Sequence, residues 1–194
     1  MSKKGLHEQI DFTGVDIDGI RFFSGSLNAM GFSYGIVVSR FNEVFTKALL
    51  HNTIQTLLES GATRKDVTVV WVPGAYEIPL LVKQFAEQGR FSAVIALGAV
   101  LQGETPHAKL INTTIAQAFS SISQKENIPV IDGVVTAYNE EQMQIRCSAD
   151  QKNRGRYAAL AAIEMARVCA EVKREVCWRH LLPLSRVKGR DDIR

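Results

Sequence analysis

The chain has 194 residues, 46% hydrophobic and 22% charged, which suits one domain with a sizeable core. Its net charge of +3 is local: residues 173–194 hold seven Lys or Arg against three acids, so they carry +4 and residues 1–172 carry −1. A near-neutral body gives no basis for a nucleic-acid surface, and no apolar run is long enough to span a membrane.

Residues 1–20 are polar and mixed and read as an N-terminal extension. Ile20 to Asn28 reads as a short strand, followed by a turn at residues 28–31. Tyr34 to Val38 is apolar and short, the mark of a buried strand. Ser39 to Asn42 forms the loop after it. A helix is expected from Glu43 to about Ser60, with Leu50, Ile54, Leu57 and Leu58 on one face and Gly61 closing it. Val67 to Val72 is the next strand, ended by Pro73 and Gly74. A helix should follow from about Tyr76 to Glu87, with Pro79 tolerated in its first turn. Phe91 to Leu101 reads as another buried strand. Thr105 is placed to cap the next helix and Pro106 to be its first residue. That helix shows an apolar stripe through Ile111, Ile115, Ala118, Phe119 and Ile122. Ile128 to Val135 is the fourth core strand. Asn139 then caps a short helix with an acidic first turn. The last helix, from about Asn153, aligns Tyr157, Ala161, Met165, Val168 and Val172. Beyond Trp178 the pattern gives way to a basic tail.

Strands alternating with helices predict a parallel sheet covered on both faces. Four polar loops then share one rim: Ser39–Asn42, Pro73–Glu77, Gln102–His107 and Thr136–Asn139. The helix start after Gly103 offers backbone N–H groups to an anion, with His107 in its first turn. The chain has no dinucleotide fingerprint, Walker loop, serine-nucleophile elbow or paired-histidine metal motif. Cys147, Cys169 and Cys177 lack disulfide or metal spacing and read as reduced thiols, so the expected location is cytoplasmic.

Four segments carry a resemblance. Gly35–Asn42 (GIVVSRFN), Trp71–Pro79 (WVPGAYEIP), Leu97–His107 (LGAVLQGETPH) and Ala162–Ala166 (AIEMA) together resemble the 6,7-dimethyl-8-ribityllumazine synthase family. The match runs from about Phe23 to Val172. It implies a domain over residues 21–177, with residues 178–194 as a tail. The implied fold is a flavodoxin-like α/β/α sandwich around a four-stranded parallel sheet. Phe22–Asn28 would join a neighbouring subunit's sheet. The implied assembly is a homopentamer, in some members an icosahedral shell of twelve pentamers, and riboflavin synthase is a compatible partner.

The resemblance also implies a transferase reaction. 5-Amino-6-(D-ribitylamino)uracil condenses with 3,4-dihydroxy-2-butanone 4-phosphate, without metal or organic cofactor. It assigns the pyrimidine platform to Phe41 and the ribityl contacts to Ala75, Tyr76 and Glu77. Glu77 can equally serve as a charge at a helix start. Ala99, Val100 and Leu101 match the strand end at the pyrimidine. Glu104 and Thr105 match the phosphate loop, Arg146 the phosphate-binding arginine, and His107 the catalytic histidine. Arg146 lies on a separate rim segment and is expected to serve a neighbouring subunit's site.

The chain departs from the family pattern around that site. Gln102 replaces a basic residue, Ala108 and Lys109 replace an aromatic and an acid, and Asp132 stands where an aromatic is usual near the pyrimidine. These departures keep a second reading open: a member with reduced activity that binds flavin or lumazine, or acts as an assembly scaffold.

Overall fold

The computed structural model describes residues 19–148 and 152–181, with side chains described up to residue 175. Four strands form one parallel sheet in the order β2-β1-β3-β4: β1 Tyr34–Ser39, β2 Val67–Val72, β3 Ala93–Leu101 and β4 Val130–Ala137. Among the described residues five α-helices accompany them: α1 Glu43–Glu59, α2 Ile78–Glu87, α3 His107–Glu126, α4 Glu140–Cys147 and α5 Arg154–Leu181. This is the flavodoxin-like α/β sandwich that the resemblance implies.

The pleat of β3 divides the core. Ala93, Ile95, Leu97 and Ala99 pack with Leu49 of α1, Met143 of α4 and Ile163 of α5. Val94, Ala96 and Val100 face the other way, against Val82 and Phe85 of α2 and Ile115 and Phe119 of α3. Successive side chains of a strand point to opposite faces, so an unbroken apolar run suits a strand covered twice. Each fully buried Ile or Leu contributes about 1.5–3 kcal/mol. An exposed pair such as Lys47–Glu43 adds roughly 0.3–0.5 kcal/mol. The fold therefore rests on the sheet and its two covers.

Two helix faces differ from expectation. On α1 the buried positions include Thr46, Thr53 and Thr56 beside Leu49 and Leu57, while Leu50, Ile54 and Leu58 are only half-buried. The buried hydroxyls are satisfied locally. Thr53 Oγ1 donates to the Leu49 carbonyl at 2.9 Å, and Thr56 Oγ1 to that of Asn52 at 2.7 Å. On α5 the buried stripe is Ala158, Ala159, Ala162, Ile163 and Ala166. Met165 and Val172 are exposed instead. Small residues let α5 approach closely: a Cβ on Gly155 would lie 2.1 Å from the Leu49 carbonyl oxygen, and one on Gly133 would lie 3.3 Å from Ala158 Cβ.

Some boundaries shift for local reasons. β4 starts at Val130, not Ile128, because the Ile128 N–H bonds back to the Ser123 carbonyl at the end of α3. Phe91 stacks on Phe85 at 4.8 Å, outside the ladder that begins at Ala93. Ala75–Glu77 form a 3₁₀ turn, so α2 begins at Ile78 with Pro79 inside its first turn. Gly61 follows α1 with φ +102°, the left-handed turn expected there. Helix α5 continues past Trp178 to Leu181. The tail beyond it and residues 1–18 of the N-terminal extension lie outside the described residues.

Residues 20–28 form no ladder among the described residues, so the short strand expected over Ile20 to Asn28 is not seen there. They run instead along α5. Arg21 pairs with Glu175, and Arg167 Nε donates to the Asn28 carbonyl at 2.7 Å. A Cβ on Gly25 would lie 2.4 Å from the Glu164 carbonyl oxygen. Ile20, Phe22 and Phe23 are exposed along this segment.

Candidate active site

The strand order reverses between β1 and β3. The crossover from β1 goes one way to β2, and the later crossovers go the other way to β3 and β4. Loops leaving the carboxyl ends of two such strands diverge and leave a crevice, where open α/β sheets bind ligands. A cavity of about 590 Å³ lies there. Phe41 and Asn42 line it after β1, Gly74 to Glu77 after β2, and Ala99, Val100 and Leu101 at the end of β3. Gly103, Thr105, His107, Ala108 and Ile111 complete it.

The wall has distinct chemical parts. Phe41 is 71% exposed, a large apolar side chain offered to the opening. Ala99 and Val100 are buried and form an apolar floor. Tyr76 and Glu77 are exposed at the edge. The Glu77 carboxylate accepts the Gly74 N–H at 2.9 Å, so it fixes the turn even as it lines the cavity.

The helix start differs from expectation by one residue. Pro106, not Thr105, is the cap residue; its carbonyl accepts the first helical bond from the Leu110 N–H at 3.1 Å. No side chain caps this end. Thr105 is instead held through its carbonyl, which accepts from Gln102 Nε2 at 3.0 Å, as the Gly103 carbonyl does at 2.9 Å. The helix provides no internal acceptor for the N–H groups of His107, Ala108 and Lys109. They form a positive end beside the His107 imidazole, which is exposed. Glu104 does not line the cavity.

Asp132 and Arg146 are not brought to this cavity. They line a second cleft of about 460 Å³ along the outer strand β4, with Thr136, Arg154 and Tyr157. Asn139 caps α4 as expected, accepting the Gln142 N–H at 2.9 Å, and so aims the helix that carries Arg146. Arg146 Nη1 donates to the Gln142 carbonyl at 3.0 Å. Burial pushes the neighbouring Cys147 thiol up to about 11, against the opposing pull of Arg146. Asp132 reaches solvent, yet partial burial strips water from its charged form and raises its carboxyl above the ordinary value. A bond from the Val134 N–H, 2.9 Å, opposes that rise.

Asn42, Arg154 and Tyr157 were not among the candidates from sequence. Arg154 and Tyr157 carried a readable signal, a cation and an aromatic at the start of the last helix. Asn42 takes a positive φ of 60°, a backbone property that side-chain pattern does not disclose. Among the described residues, no group of three or more His, Cys, Asp or Glu could hold a metal ion. No helix there is long and apolar enough to cross a membrane.

The fold and cleft define an α/β protein of the flavodoxin-like class, with an apolar platform, an anion-favouring helix end and an imidazole at its switch point. Residues 31–170 match the family model described as 6,7-dimethyl-8-ribityllumazine synthase. Two proteins of that name, both from Clostridium kluyveri, are each 39% identical over 154 residues, covering 79% of this chain and 100% of theirs. The chain belongs to the 6,7-dimethyl-8-ribityllumazine synthase family.

Proposed function

We propose that the protein is a 6,7-dimethyl-8-ribityllumazine synthase, a transferase in the penultimate step of riboflavin synthesis. It condenses 5-amino-6-(D-ribitylamino)uracil with 3,4-dihydroxy-2-butanone 4-phosphate. Two carbon–nitrogen bonds form, and inorganic phosphate and two waters leave. The observation that carries this reading is the family match across residues 31–170, whose span contains every residue lining the main cavity.

The cavity divides the work. Phe41 stacks on the pyrimidine, and Ala99, Val100 and Leu101 border its edge. Ala75, Tyr76 and Glu77 hold the ribityl chain. The backbone at Glu104 and Thr105, with the start of α3, receives the phosphate. His107 takes and returns protons during imine formation and phosphate loss. Orientation of the two substrates supplies much of the remaining rate.

Arg146 and Asp132 complete the site from a neighbouring subunit, which their separate cleft supports. The assembly is a homopentamer with Phe22–Asn28 added to the next subunit's sheet; the exposed apolar side chains of that segment support this. A shell of twelve pentamers is compatible with it, as is riboflavin synthase as a partner. The proposed location is the cytoplasm. The departures at Gln102, Ala108, Lys109 and Asp132 are the sequence clue for the reduced-activity or scaffold reading, and neither the family match nor the relatives add to it.

The test is direct. Purified protein given both substrates should form the fluorescent lumazine well above the uncatalysed rate. A rate equal to the uncatalysed background contradicts the proposal.

A further inference from the structure

We infer that Asn42 is a positioning residue, whose left-handed backbone and side-chain amide together hold the Phe41 ring at the mouth of the cavity. The inference rests on the reading of Phe41 as the pyrimidine platform.

Asn42 stands at the cap of α1 with φ 60° and ψ 44°. Cap residues at helix starts are normally extended and bond the first turn through their side chains. Asn139 does this in the same chain, with φ −151° and its side chain on the Gln142 N–H. Asn42 does neither. Its side chain makes no capping bond, and its backbone lies where L-residues pay a steric cost that Asn bears better than most. The other non-glycine residue with positive φ among those described is Asn127, at a helix end where that conformation is common.

The amide is used elsewhere. Backbone pairing of β1 with β3 stops at Val38 and Leu97. Beyond that point Asn42 Nδ2 donates to the Ala99 carbonyl at 2.9 Å, so a side chain continues the join that the backbone gives up. On the β2 side, the Arg40 N–H donates to the Val72 carbonyl at 2.8 Å and the Phe41 N–H to that of Pro73 at 3.0 Å. The loop is thus stitched to both neighbouring strands, with Phe41 between the stitches. The exposed Phe41 ring has little core packing of its own. Its place is set by the backbone that Asn42 fixes.

The experiment compares Asn42→Gly, which keeps the left-handed backbone and loses the amide, with Asn42→Asp, which keeps the shape and cannot donate. The KM of each substrate and the fluorescence-measured Kd of the lumazine product are determined for both, and for Phe41→Ala. Both Asn42 variants should raise the pyrimidine KM and the product Kd about three- to tenfold, the scale of one aromatic contact. The butanone phosphate KM should stay near native. A native pyrimidine KM in Asn42→Gly and Asn42→Asp, with Phe41→Ala impaired, overturns this inference alone. An unchanged Phe41→Ala overturns the platform reading and the inference with it. An equal rise in both KM values assigns Asn42 a general structural role and also overturns it.

Discussion

Replacement of His107 by alanine should slow turnover about 10²- to 10⁴-fold, the usual contribution of a positioned acid–base group. Stability should hardly change. The imidazole is exposed in the first turn of α3, and no side chain caps that end. Surface changes of this kind usually shift stability by less than about 0.5 kcal/mol. Both KM values should stay near native, because stacking and phosphate contacts are assigned to other groups. Steady-state kinetics paired with thermal unfolding checks this. A large drop in melting temperature, or near-native turnover, would remove His107 from the chemistry.

Arg146→Ala should act on one substrate. Hydrogen bonds to charged groups are worth about 1.5–3 kcal/mol, which corresponds to a rise of about 10- to 10²-fold in the KM for the butanone phosphate. The pyrimidine KM should be largely spared. Arg146→Lys should recover little of the loss, since an ammonium does not reproduce the two-pronged fork of a guanidinium. Equal effects on both substrates would contradict a phosphate role.

The sheet was legible because its strands are short apolar runs, and the nine residues of β3 could scarcely be anything else. The rim followed from alternation alone, and Phe41, Tyr76 and His107 were found on it because three separate motifs end there. Other features were hidden for physical reasons. Threonines at positions 46, 53 and 56 look polar, yet each bonds an upstream carbonyl of α1, at 2.7–3.5 Å, and is buried. The inner face of α5 is alanine-rich, so the larger Met165 and Val172 suggested the wrong side. Thr105 looked like a cap, but Gln102 holds its carbonyl and Pro106 takes the position. Asp132 and Arg146 could be named from the motif. Their place in a cleft apart from the main cavity depends on the edge position of β4, which sequence spacing does not encode.

In the proposed assembly His107 and Arg146 act in one site from different subunits. The most direct measurement mixes the two defects. His107→Ala and Arg146→Ala proteins, each nearly inactive at low butanone phosphate, are unfolded together in equal amounts and reassembled. Random mixing of a shared site restores about a quarter of the native rate, because one site in four then pairs an intact imidazole with an intact guanidinium. Activity no greater than the average of the two separately reassembled variants would contradict the account.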